Sequence, residues 1–240
     1  MQNYCKTIGA LAAASALVAG NAQAEVEYEL HTGYSSEYLF RGLDLGQNLT
    51  EVGIDAAYDW DGTKISGGVW AAAFSDANNN LTGKPNGQQI SSEVDWYTEV
   101  SHDFGFANLA VGYIYYWNMG ALGEDAQEIP FTISRDFGWA DIYLTYFWSV
   151  AGQNNNGYLE LGGSHSWELN PCVALNYSTN FGYLCEEGDF TAWTNRLSLD
   201  WGFAEHAKVS PFIAFSLGLS DDYNNSDNEF LGGSMLSVTF

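Results

Sequence analysis

From Val26 to the last residue, apolar and polar positions alternate with period two, and no stretch carries a helical period of comparable length. In Glu51–Trp60 one face takes Val52, Ile54, Ala56, Tyr58 and Trp60, and the other takes Glu51, Gly53, Asp55, Ala57 and Asp59. Ser92–Asp103 repeats the arrangement, with Val94, Trp96, Thr98 and Val100 opposed to Glu93, Asp95, Tyr97, Glu99 and Ser101. The rhythm predicts twelve strands, at 25–40, 50–60, 64–75, 92–103, 108–117, 127–136, 140–149, 157–168, 173–183, 190–201, 208–218 and 229–240.

Alternation alone fits two folds. In a soluble sandwich the apolar face is the inner one; in a membrane barrel it meets lipid and the polar face lines the lumen. The connections separate them. Short turns at 61–63, 103–107, 137–139, 169–172 and 202–207 alternate with longer polar loops at 42–48, 76–91, 118–126, 151–156, 184–189 and 219–228. Outer-membrane barrels join strands by short periplasmic turns and longer outer loops, with an even strand count. The expected fold is therefore all-β: a transmembrane antiparallel up-and-down barrel of about twelve strands, in the bacterial outer membrane. Trp60, Trp117, Trp148, Trp167 and Trp201 fall near strand ends, where aromatic girdles belong. The chain closes on Ser237-Val238-Thr239-Phe240, which resembles the terminal signal read by the outer-membrane assembly machinery, so that machinery and outer-membrane lipids are expected partners.

Residues 1–24 read as a cleaved signal peptide, with Lys6, an apolar run from Ile8 to Ala19 and the small-residue site Ala22-Gln23-Ala24. That run is shorter than the about 20 apolar residues a membrane helix needs. The barrel domain is expected over 25–240. Cys172 and Cys185 fall at opposite ends of one strand, beyond disulfide reach of each other, and are expected as two free thiols.

Charge alters the picture of the inside. The chain has 30 Asp plus Glu against 7 Lys plus Arg, a net charge of −23. Nucleic acid is excluded as a partner by repulsion, and divalent cations bridging carboxylates are favoured. Alternation directs Glu27, Glu29, Glu37, Asp55, Asp59, Glu93, Asp95, Glu99, Asp141 and Glu160 inward, with Arg41 and Arg196 among the few opposing cations. These are the expected pore-lining residues, and such a lining selects cations.

Other chemistry finds little support. The histidines are His31, His102, His165 and His206, and none sits in a nucleophile motif; Ser164 and His165, being adjacent on a strand, face opposite ways. No enzyme activity and no cofactor are expected. Asp221, Asp222 and Asp227 crowd one loop as weak metal-ligand candidates, but their spacing does not match the calcium loop pattern, so no metal site is assigned.

Ser36, Glu37, Tyr38, Leu39, Phe40, Arg41 and Gly42 close the first predicted strand and resemble the S-[D/E]-Y-x-F-R-G signature of the TorF-type porin family, uncharacterised bacterial outer-membrane β-barrels. The resemblance implies a porin-like barrel and marks Ser36, Glu37, Tyr38, Phe40, Arg41 and Gly42 as motif residues. Read physically, Arg41 would pair with Glu37 or an acid of a neighbouring strand, and Gly42 would supply a bend or bulge. The function expected from these features is a narrow, cation-preferring outer-membrane channel for small solutes or ions. The alternative is a structural or surface-interaction barrel with no transport role, its lumen plugged by Tyr97, Tyr113 or their neighbours.

Overall fold

The computed structural model describes residues 26–75, 90–119, 124–151, 156–220 and 228–240. These form twelve strands: β1 (Val26–Phe40), β2 (Leu43–Trp60), β3 (Thr63–Ser75), β4 (Ile90–Asp103), β5 (Asn108–Met119), β6 (Ala126–Asp136), β7 (Asp141–Ala151), β8 (Tyr158–Asn170), β9 (Val173–Leu184), β10 (Asp189–Ala204), β11 (Ala207–Gly218) and β12 (Glu229–Thr239). Each pairs antiparallel with its chain neighbours, and β1 closes the sheet on β12. Closure is sealed at the chain end, where Tyr28 and Phe240 exchange two backbone hydrogen bonds of 3.0 Å and stack their rings 5.8 Å apart.

Closure leaves an outside and an inside, and the alternation sorts the side chains between them. Leu30 stands opposite both Ile54 and Val238, and all three are exposed on the outer wall. One residue along, Glu29 stands opposite Asp55 on the inner wall. Trp60, Trp139, Trp167 and Trp201 stand exposed toward the end that holds the short turns, and Trp117 and Trp148 toward the other. An apolar outer belt with aromatic rims is what a hydrocarbon layer requires of a barrel wall.

On the short-turn side the connections are 61–62, 104–107, 137–140, 171–172 and 205–206, so the last is tighter than the 202–207 expected. The first outer connection departs further from expectation. In place of a loop over 42–48, β2 begins at Leu43 and only Arg41 and Gly42 form the turn. Both have positive φ, 53° and 86°, the signature of a type I′ hairpin. Of the two cysteines expected as free thiols, Cys185 is free and Cys172 is not.

Candidate functional site

The β1–β2 hairpin does not stay in the wall. β1 pairs with β12 only as far as Ser35, opposite Gly233, and β2 pairs with β3 only from Gln47 onward. Residues 36–46 are therefore a two-stranded ribbon detached from both neighbours, with a bulge between Tyr38 and Leu39. Its departure is made tolerable by hydroxyl groups that satisfy the backbone left behind. The Gly232 N–H donates to Ser36 Oγ at 3.1 Å, and Ser75 Oγ donates to the Gln47 carbonyl at 2.9 Å.

The ribbon crosses the outer mouth of the barrel and touches each of the other ten strands. Tyr38 packs edge-on against Phe74 of β3 and donates a 2.8 Å hydrogen bond to buried Glu93 of β4. Phe40 meets Tyr116 of β5 with ring centroids 6.0 Å apart. Arg41 reaches Glu128 of β6, Phe147 of β7 and Tyr158 of β8. Leu43 packs on the Tyr158–Leu184 pair, which brings in β9. Gly42 lies against Ala192 of β10 and near Ser216 of β11, so close that a Cβ there would run into the Ala192 side chain. Leu39 packs on Phe212, Ala214 and Leu231, the last on β12. Three clusters of buried apolar residues occur among the described residues, and a hairpin residue belongs to or packs on each.

Arg41 is the most heavily held residue of the tip. Nη1 and Nη2 donate to the two carboxylate oxygens of Glu128 at 2.8 and 2.7 Å, and Tyr116 donates to the same carboxylate at 3.0 Å. The guanidinium lies 4.3 Å from the ring centre of Tyr158, 4.5 Å from Phe147 and 4.8 Å from Phe40. Its side chain is 14% exposed and that of Glu128 10%. The partner is thus neither Glu37 nor an acid of an adjacent strand, as the sequence reading expected, but a carboxylate on the opposite wall. Neither Tyr97 nor Tyr113 reaches across the lumen. Tyr97 stays at the wall and donates to Asp55, and Tyr113 faces outward, bonded to Gln127.

Below the hairpin the inner wall is acidic on one side. Register places Glu27, Glu29, Asp55 and Asp59 with Glu51 on β1–β2, and Glu93, Asp95 and Glu99 on β4, all on the inner face. Glu37 sits on the hairpin opposite Gln47. His31 Nε2 lies 3.2 Å from Asp55, and Trp70 Nε1 donates to Glu51 at 2.5 Å. On β9 and the adjoining part of β10 the lining is mostly neutral: Asn176, Ser178, Asn180 and Ser198 accompany Arg196, whose guanidinium lies 3.7 Å over the Phe212 ring. Lys208 pairs with Asp200 at 3.4 Å. Asp141 and Glu160 complete the predicted set on β7 and β8, with Tyr143 donating to Glu160 at 2.7 Å. One carboxylate oxygen each of Glu29, Glu37 and Asp95 is shielded from solvent without a hydrogen-bond partner among the described residues.

The sequence reading missed Glu51, Tyr116, Glu128, Phe147 and Tyr158. Glu128 was open to discovery, since it is in frame with the inward Thr132 and Ser134 of the same strand. Of the histidines, His102 meets Thr63 at 2.9 Å, and His165 rests against exposed Trp167, away from inward Ser164. Among the described residues no cluster of His, Cys, Asp and Glu has the geometry to hold a metal ion. The candidate ligands Asp221, Asp222 and Asp227 lie outside the described residues.

Solved structures share this architecture. An outer-membrane channel of the COG4313 group from Pseudomonas putida F1 superposes with a TM-score of 0.59 at 10% identity, covering 92% of this chain and 97% of its own. The KdgM porin gives 0.54 at 8% identity, covering 89% and 99%. The outer-membrane phospholipase A of Escherichia coli gives 0.50 at 13% identity, covering 88% and 89%. Two channels and one lipase at such identities establish the fold, an outer-membrane barrel, and not the activity. No curated protein matches the chain by sequence. A family model does match, over residues 19–212, and the chain therefore belongs to the Gcw_chp family of bacterial proteins of unknown function.

Proposed function

We propose that this barrel is a porin-like channel that passes small cationic solutes or ions through an acidic lumen, and that its outer mouth is closed by the β1–β2 hairpin. The observation that carries the reading is the acidic inner wall: Glu29, Glu51, Asp55, Glu93, Asp95, Glu99, Asp141 and Glu160 outnumber the inward cations Lys64, Arg196 and Lys208, the last of which is paired with Asp200. Carboxylates in a confined, low-dielectric lumen attract cations and repel anions. The KdgM porin and the COG4313 channel lend the fold a precedent for permeation.

A second reading keeps the hairpin permanently seated, so that the barrel is a plugged surface element; the contacts with ten strands favour it. Planar-bilayer recording separates the two. The full-length protein is compared with a variant in which residues 37–46 are replaced by Asn-Gly, under a potassium chloride gradient. The expected result is a small or intermittent conductance for the native barrel and a larger, steady, cation-selective one for the variant. A variant that stays silent, or passes chloride in preference to potassium, overturns the channel reading.

A further inference from the structure

The box that holds Arg41 belongs to the wall, and Arg41 does not. Tyr116, Glu128, Phe147 and Tyr158 stand on four consecutive strands, β5 to β8, joined to one another by their own ladders. The guanidinium arrives from the other side of the barrel, at the tip of the detached ribbon 36–46. When that ribbon moves, the box remains. With the ribbon seated Glu128 is 8% exposed, and a carboxylate so shielded is costly without the cation that Arg41 supplies. Ring faces carry negative quadrupole, so Phe147 and Tyr158 at 4.5 and 4.3 Å add to the attraction for any cation seated there. Tyr116, donating at 3.0 Å, holds the carboxylate in orientation.

We propose that Tyr116, Glu128, Phe147 and Tyr158 form a binding site for solutes bearing a guanidinium group, and that Arg41 is its built-in competitor. A solute that takes the box displaces Arg41 and frees the hairpin tip from the mouth. This deepens the channel reading, and rests on it for the consequence of displacement though not for binding itself. The paired contacts of 2.8 and 2.7 Å match a planar fork to a carboxylate. A primary ammonium, a point donor without that fork, binds the same box more weakly.

The test uses the full-length barrel in detergent micelles with methylguanidinium chloride as probe, against sodium chloride at equal ionic strength. R41A empties the box, and millimolar methylguanidinium is expected to raise its Tm saturably. In R41A/E128Q the apparent affinity is expected to fall roughly 30-fold or more, as removal of one partner of a buried charge pair does. In the wild-type protein the probe is expected to accelerate amide hydrogen exchange across residues 36–46, and sodium chloride to leave it unchanged. That last measurement decides alone if R41A does not assemble. The proposal is overturned by an absent or non-saturating shift in R41A, by an equal shift in the double variant, or by unchanged wild-type exchange. None of these measurements needs conduction. A silent barrel that binds the probe removes the channel reading and keeps the box, and a conducting barrel indifferent to the probe does the reverse.

Discussion

Arg41 adopts φ 53°, a left-handed conformation that costs a residue other than Gly, Asn or Asp about 1–2 kcal/mol. Asn or Asp followed by Gly is the usual choice for such a turn, and Asp61-Gly62 at the other end of β2 follows it with φ 47° and 76°. Arginine stands at 41 because its head group is anchored, not because its backbone is comfortable. R41A leaves the Glu128 carboxylate buried without its cation and is expected to lower unfolding stability by about 3 kcal/mol. R41N is expected to recover about 1 kcal/mol of that loss through its tolerance of the turn. Denaturant titration of liposome-reconstituted barrels measures both; equal stability of R41A and wild type would show that the pair holds nothing. Tyr38 makes the same kind of commitment to Glu93, which is 4% exposed. Y38F keeps the ring packing and removes the donor, with an expected cost of about 1–3 kcal/mol by the same titration.

At the scale of the element, the ribbon 36–46 packs against the barrel from both of its faces, and its sequence departs locally from the alternation of the other strands. Tyr38, Leu39 and Phe40 run consecutively apolar, followed by Leu43 and Leu45. A strand buried on both faces reads as a continuous apolar run, whereas one between lipid and lumen alternates. Gly42, Gly46 and Asn48 in the same stretch looked like loop chemistry. In the structure Gly42 turns the tip at φ 86°, and Asn48 takes φ 56° two residues past the detached ribbon. Seating the tip depends on the bare Cα of Gly42 against Ala192. G42V is therefore expected to unseat the tip and raise bilayer conductance while leaving the far-ultraviolet strand signal of the barrel unchanged. Unaltered conductance, with the strand signal retained, would count against the hairpin as the closing element.

Over the whole molecule, one alternating pattern serves two solvents. Ile54 is 43% exposed on the lipid side at mid-strand, and Ser178 occupies the inner wall opposite Arg196. I54K is expected to destabilise the reconstituted barrel by about 2–4 kcal/mol, the cost of a lysine near the bilayer midplane. S178K, which enters the wet lumen beside Arg196, is expected to cost less stability than I54K and to lower the cation preference of a hairpin-shortened barrel. Comparable penalties at the two positions, read by denaturant titration, would contradict the assignment of faces. The outer-membrane setting follows from the same asymmetry, since the apolar belt is on the outside and the carboxylates are within.

Strand number and antiparallel order were legible in the chain, because side-chain direction has a period of two and turn length marks the two sides of a membrane. Glu29 and Asp55, a chain hairpin apart, were placed on one face by counting alone. The partner of Arg41 was not legible. Positions 41 and 128 are 87 residues apart, on strands that do not pair, and nothing in local pattern or turn chemistry links them. Closure of the barrel brings the far wall within reach of a ribbon leaving β1 and β2, and only then does a short motif at a strand end become an element spanning the mouth. Periodicity specifies which face a residue takes; which residues meet across a closed lumen depends on the curvature and closure of the whole sheet.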